Sequence, residues 1–146
     1  MYKKVNNWIV SDSKDFTSEE LRDLLSSNNY ECAEYPRLIE SFYKASHICT
    51  VRNEAFKLVG IIRCMDDQFL IANIDLLCVH KDFQRRGIGT LLIEELLKRL
   101  SFVKFINVSP DNNELIDFYQ RFGFELIPKG CSMQIDRFKL ENRKIG

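Results

Sequence analysis

Apolar positions along the chain change period in a set order. Asn7 to Ser11 reads as a short strand. Leu21, Leu24 and Leu25 then fall on one face of a helix that Thr17 or Ser18 caps and that runs through about Ser26, where Asn28-Asn29 breaks it. Leu38, Ile39, Phe42 and Tyr43 repeat at helical spacing and predict a second helix from about Tyr35 to Ser46, with Pro36 tolerated in its first turn. Ile48 to Val51 and Phe56 to Cys64 read as strands around the polar turn Arg52-Asn53-Glu54. Asp66-Asp67-Gln68 makes a second turn before a long strand, Phe69 to Val79. The two turns imply an antiparallel meander of three strands.

From there strands and helices alternate. Ile88, Leu92, Leu96 and Leu100 form a helical stripe thickened by Leu91, Ile93 and Leu97, with Glu94, Glu95, Lys98 and Arg99 on much of the remaining surface. Phe105 to Val108 is the next strand. Asn113 to Phe122 is a helix with Leu115, Phe118, Tyr119 and Phe122 on one side and Gly123 as its left-handed stop. Phe124 to Ile127 and Met133 to Ile135 read as final strands around Lys129-Gly130. The order predicts an α/β (α+β) fold over residues 1–146 as one domain: a mixed, mostly antiparallel sheet of about six or seven strands with about four helices on its two faces.

Composition narrows the classes of function. Lys plus Arg and Asp plus Glu each number 21, so the formal net charge is +0, and no net field draws nucleic acid or an anionic membrane. No apolar run approaches the ~20 residues that a membrane span requires. The opening MYKKVNNWIVSD carries two lysines without a following apolar stretch and does not read as a secretory signal. The 5 cysteines (Cys32, Cys49, Cys64, Cys78, Cys131) are odd in number and lack C-x-x-C spacing, which argues against a zinc site and against a disulfide framework. Reduced thiols in a cytoplasmic protein are the simplest reading.

The most informative stretch is Ile74 to Leu97, IDLLCVHKDFQRRGIGTLLIEELL. A strand, a basic loop interrupted by Gly87 and Gly89, and a helix start follow one another. That succession cradles a pyrophosphate, because unpaired N–H groups and the positive end of the helix dipole attract anions. A Walker loop would need Gly-Lys-Ser/Thr, and a dinucleotide loop would need a third glycine where Leu92 stands.

Gln84-x-x-Gly87-x-Gly89 after a strand ending in Val79 resembles the acetyl-CoA-binding motif of the GNAT (Gcn5-related) N-acetyltransferases. A second stretch, NNELIDFYQRFGF, is similar to that superfamily's Asn-x(6)-Tyr-x-x-x-Gly-Phe pattern through Asn112, Tyr119, Gly123 and Phe124. With the element order, the resemblance covers essentially the whole chain and looks like a small, single-domain, bacterial-type member. It implies a sheet splayed between the strand ending at Val79 and the strand Phe105 to Val108, with the pantetheine arm of acetyl-CoA entering the gap. It implies donor contacts at Leu77, Cys78, Val79, Gln84, Arg85, Arg86, Gly87, Ile88, Gly89 and Thr90, with the Val79 N–H facing the thioester oxygen. It gives Asn112 to the pantetheine arm and the Tyr119 hydroxyl to the thioester sulfur. Asn112 also reads as a helix N-cap. No metal is called for.

The implied reaction is direct attack of a primary amine of a small molecule or peptide on the acetyl thioester. At neutral pH an alkylamine of pKa ~10 costs roughly 4 kcal/mol to deprotonate. Asp75, four residues before Val79, is the acid side chain placed to act as base, water relay or anchor. Strand alternation puts it on the face of Leu77 and Val79 and turns Cys78 away. His80 reads as a loop residue at the cleft rim and His47 as a helix end. The loop between the first two helices offers Tyr30, Glu31, Glu34 and Tyr35 to the acceptor. The acceptor's identity and a monomeric or homodimeric state are left open. A non-catalytic acyl-CoA sensor with the same fold is the alternative, and neither nucleic acid nor membrane is an expected partner.

Overall fold

A computed structural model describes residues 1–127, 133 and 135. The chain divides into two compact units, Met1–Ser109 and Pro110–Gly146. In the first, six strands form one sheet in sequential order: β1 (Tyr2–Val5), β2 (Trp8–Ser11), β3 (His47–Arg52), β4 (Leu58–Asp66), β5 (Ile71–Val79) and β6 (Phe105–Val108). Helices α1 (Ser18–Ser26) and α2 (Leu38–Tyr43) lie between β2 and β3, and α3 (Ile88–Arg99) between β5 and β6. Neighbouring strands are antiparallel except β5 and β6, which are parallel because α3 carries the chain back across the sheet. In the second unit α4 spans Asn113–Gln120.

Side-chain alternation along β4 distributes the helices. A Cβ on Gly60 would lie 2.7 Å from Ile88 Cγ2 and 3.1 Å from Leu92 Cδ1, so this position lets α3 settle directly on the strand. Ile61, its neighbour, points the other way into a cluster with Leu21, Leu24, Leu25, Leu38 and Phe42. Thus α1 and α2 cover one face and α3 the other, as the hydrophobic pattern predicts.

Several expectations are corrected. The first strand is preceded by β1, joined through Asn6-Asn7, with Asn6 in the left-handed region (φ 54°). Asparagine tolerates that backbone in a two-residue hairpin turn. The second helix is shorter than its spacing suggests. Residues Glu31–Glu34 form a 3-10 turn, Tyr35 before Pro36 is extended (ψ 128°), and α2 begins only at Leu38. His47 is not a helix end: it opens β3, with Nε2 2.8 Å from Asp66 Oδ2. Residues Phe124 to Ile127 are not a strand, and the expected strand Met133 to Ile135 falls across positions outside the described residues.

One ion pair ties α1 to the sheet. Arg52, 2% exposed, pairs with the Glu20 carboxylate, donates to the Phe56 carbonyl at 2.9 Å and stacks on the Phe56 ring at 4.5 Å. Glu20 also accepts from the Thr17 N–H (3.0 Å), while Thr17 Oγ1 accepts from the Glu20 N–H (3.1 Å). The capping box and the ion pair therefore share one carboxylate. The Arg52 guanidinium holds the Glu20 carboxyl below its ordinary value. Glu20→Gln leaves the buried guanidinium with only the more distant Asp15 carboxylate, at 3.9 Å, and should cost about 3 kcal/mol in denaturant unfolding. Since the folded value is depressed, the wild-type advantage is complete above about pH 4.3 and is lost as pH falls through the folded value. A wild-type-minus-variant difference that persisted unchanged to pH 2 would contradict the pairing.

Candidate functional site

The β5–β6 ladder stops early. Ile71 to Ile74 pair with Phe105 to Val108, and β5 then continues to Val79 beside β4 alone. The His80 N–H donates to the Val59 carbonyl at 2.8 Å, which places it on the β4 side. A peptide's C=O points opposite to its N–H, so the Val79 carbonyl faces the gap. By the two-residue repeat, the N–H and C=O groups of Leu77 and Val79 all lie on that open edge. The expected splay between these two strands is therefore present within the first unit.

The same strand carries a bulge. Cys64 pairs with Ile74, but Arg63 pairs with Leu76, leaving Asp75 as the extra residue. The expected alternation fails there. Leu77 and Val79, opposite Ile62 and Gly60, share the face of α3, whereas Asp75 turns to the α1–α2 face. On that face its carboxylate pairs with the Arg63 guanidinium. Arg63 stands 5.4 Å over the Phe42 ring and donates to the Ser41 carbonyl at 3.2 Å. Cys78 points away from Leu77 and Val79, into the α1–α2 core, and because of the bulge it shares the face of Asp75 instead of being turned away from it as expected. Its thiol is 3.7 Å from the Leu24 carbonyl, and burial pushes it up to about 12. A thiol so held is filler rather than a nucleophile.

The loop after β5 is shaped by Phe83. The Trp8 and His80 rings meet it edge-on at 6.4 and 5.6 Å, and Arg86 stacks on it at 5.3 Å. His80 is not at an open rim: it is 7% exposed, and its Nδ1 accepts from the Asp82 N–H at 3.2 Å. Arg85 and Gly87 both adopt left-handed backbone (φ 65° and 83°) as the chain turns into α3. The first helical bond runs from the Leu91 N–H to the Gly87 carbonyl, so the N–H groups of Ile88, Gly89 and Thr90 have no helical acceptor. No side chain caps this end and no acid lies in its first turn. An anion is the partner such an end fits. The side chain of Gln84 turns elsewhere: Nε2 donates to Asn28 Oδ1 (2.8 Å) and the Val79 carbonyl (3.2 Å).

Of the four acceptor-side residues, Glu31, Glu34 and Tyr35 are exposed on and after the 3-10 turn, while Tyr30 is half-buried with its hydroxyl donating to the Leu77 carbonyl at 3.2 Å. Asn28, which the sequence pattern marks only as a helix breaker, reaches the Val79 carbonyl at 2.8 Å. Its partner lies 51 residues away, and no local signal gives that away.

In the second unit, Asn112 caps α4 by accepting from the Leu115 N–H at 3.1 Å. Tyr119, two turns on, is buried between Phe118 and Phe124 (ring centroids at 5.1 and 5.5 Å). Burial, and secondarily the Asp111 charge, push its hydroxyl up to about 12. Gly123 has the predicted left-handed backbone (φ 97°).

Comparison with known proteins agrees with this architecture. The acetyltransferase (GNAT) family profile matches residues 13–124. GCN5-related N-acetyltransferase 2, a chloroplastic protein of Arabidopsis thaliana, is 35% identical over 75 residues, 51% of this chain and 29% of that protein. An uncharacterized N-acetyltransferase, ycf52, of Porphyra purpurea is 26% identical over 128 residues, 83% of this chain and 72% of that one. The chain thus spans only about a third of the length of the plant relatives it matches. Among solved structures, a GNAT-family acetyltransferase of Streptococcus pneumoniae superposes with TM-score 0.75 at 21% identity, covering 88% of this chain and 96% of that one. A putative acetyltransferase of Deinococcus radiodurans gives 0.73 at 19%, covering 95% of each.

The left-handed start of α3 is directly testable. Nothing lies within 4 Å of a Cβ built on Gly87, so a substitution there meets only backbone strain. Gly87→Ala should cost about 1 kcal/mol in denaturant unfolding, and Gly87→Asn clearly less. Equal costs would show that the backbone conformation is not the source.

Proposed function

The chain belongs to the acetyltransferase (GNAT) family, and on that premise we propose that it is an acetyl-CoA-dependent N-acetyltransferase acting on a primary amine of a small molecule or peptide. The observation that carries this reading is the open β5 edge running directly into the uncapped start of α3. Backbone donors there suit the two ends of one ligand: the diphosphate at Gly87 to Thr90 and the pantetheine arm beside Leu77 to Val79. Arg85 and Arg86 serve mainly through their backbone, since Arg86 is stacked on Phe83. The Val79 N–H is the proposed donor to the thioester oxygen, which becomes an oxyanion when the amine attacks.

The base role is narrowed rather than assigned. The Asp75 carboxylate is ion-paired to Arg63 and would have to leave that partner to abstract a proton. Anchoring the acceptor, or passing its proton through water, asks less of it. The exposed Glu31 and Glu34 on the same side suit a cationic acceptor.

Tyr119 takes the leaving-group role that its motif implies. With its hydroxyl pushed up to about 12, complete transfer to a thiolate of pKa ~8.5 is uphill by about 5 kcal/mol. Its part is therefore a hydrogen bond to the developing thiolate. Because the raised value keeps the proton in place throughout the ordinary assay range, no alkaline fall in rate below about pH 10 belongs to Tyr119.

The test is thiol release from acetyl-CoA across a panel of alkyl and aryl amines, polyamines, aminoglycosides and peptides. Tyr119→Phe is expected to lower kcat on the order of 100-fold while shifting acetyl-CoA affinity little. Equal losses in affinity and turnover would remove the role. Binding of acetyl-CoA without release for any amine would favour the non-catalytic acyl-CoA sensor.

A further inference from the structure

We propose that Asn28 and Tyr30 are positioning residues of the donor site: their side chains bond the two carbonyls of the open β5 edge and so fix the strand whose N–H groups receive an acyl-CoA arm. The inference rests on the acyl-CoA reading and adds residues that neither sequence motif contains.

Both carbonyls face the gap, and both accept a side-chain donor. The Leu77 carbonyl accepts from the Tyr30 hydroxyl at 3.2 Å. The Val79 carbonyl accepts from Asn28 Nδ2 at 2.8 Å and from Gln84 Nε2 at 3.2 Å, and Gln84 also donates to Asn28 Oδ1 at 2.8 Å. The Val79–His80 peptide is thereby held at both ends, since its N–H is bonded to the Val59 carbonyl. The turn that delivers these side chains is itself fixed. The N–H groups of Asn28 and Tyr30 both donate to the Leu25 carbonyl at 3.2 Å, and Asn29 turns through left-handed backbone. Ser27 Oγ accepts from the Lys81 N–H at 3.2 Å, joining the same turn to the loop that leads to α3.

An ordinary strand edge alternates donors and acceptors, and an extended amide-bearing chain can pair with it in more than one register. Here side chains crowd the acceptors: two donors reach the Val79 carbonyl and one the Leu77 carbonyl. The Leu77 and Val79 N–H groups are then the better-placed partners, for the amide carbonyls of the arm and the acyl carbonyl, and one register of the arm is favoured. Removing the Tyr30 hydroxyl bares the Leu77 carbonyl, and removing the Asn28 amide leaves the Val79 carbonyl to Gln84 alone; either change loosens the seat.

The experiment is titration calorimetry with two probes, acetyl-CoA and adenosine 3′,5′-bisphosphate, which lacks the pantetheine arm. It uses the wild type, Tyr30→Phe and Asn28→Ala. Tyr30→Phe keeps the ring that packs on the core and removes only the hydroxyl, so it reads the proposal even where Asn28→Ala folds poorly. Each variant should bind acetyl-CoA about 5-fold more weakly and the bisphosphate as the wild type does. Unchanged or tighter acetyl-CoA binding by Tyr30→Phe overturns the proposal, as does equal weakening of both ligands, which would mark a general distortion. A wild type that fails to bind acetyl-CoA overturns the acyl-CoA reading itself, and this inference with it. A wild type that binds both probes beside unaffected variants overturns the positioning role alone.

Discussion

The early end of the β5–β6 ladder is the constraint on which the rest depends. A parallel pair that continued to Val79 would consume the Leu77 and Val79 N–H groups in ordinary sheet bonds. Because pairing stops at Ile74 and Val108, several residues of backbone keep one edge unpaired by any strand among the described residues. An unpaired edge is normally an invitation to aggregation. Here it is short, bulged at its base by Asp75, and laced across its carbonyls by Asn28, Gln84 and Tyr30. Those features limit pairing with another strand while leaving the N–H groups available to a ligand.

Around that edge the packing is arranged to keep the loop and helix start in place. Gly60 lets α3 approach β4 closely, Phe83 gathers Trp8, His80 and Arg86 around the turn, and Ser27 and Asn28 bind the end of α1 to the same loop. The acetyltransferase family to which the chain belongs is thus expressed in it as backbone geometry more than as a set of reactive side chains. That fits the neutral net charge. A diphosphate held by oriented N–H groups at a helix start needs no excess of lysine and arginine over the whole surface.

Much of this was legible in the chain. Thr17 or Ser18 as a cap announced the start of α1, the stripe Ile88, Leu92, Leu96 and Leu100 revealed α3 with its Gly87 start, and Asn112 and Gly123 marked the ends of α4. Each depends on contacts within a few residues, which sequence spacing encodes. What was not legible depends on distant partners. The bulge at Asp75 is invisible because the apolar run Leu76-Leu77-Cys78-Val79 has no alternation to break, and only the register against Arg63 and Cys64 shows the slip. Asn28 and Tyr30 look like loop residues until β5 is laid beside them. The hairpin of β1 and β2 did leave a signal, the Asn6-Asn7 pair between Val5 and Trp8, but the two lysines at the chain start weakened the apolar pattern.

The bulge also changes what chemistry Asp75 is suited to. Had alternation held, its carboxylate would share a face with Leu77 and Val79, under α3. The extra residue instead brings it to the α1–α2 face, beside Arg63, where Cys32 and the 3-10 turn bearing Glu31 and Glu34 lie close. Under the acceptor-side role proposed for Asp75, the ion pair presents an incoming amine with both signs of charge rather than with an isolated base. On that proposal, selectivity for the amine falls to how an incoming ammonium competes with the Arg63 guanidinium for one carboxylate. That competition is governed by geometry and desolvation, and it favours acceptors whose cation reaches Asp75 without displacing Arg63 from the Phe42 ring and the Ser41 carbonyl.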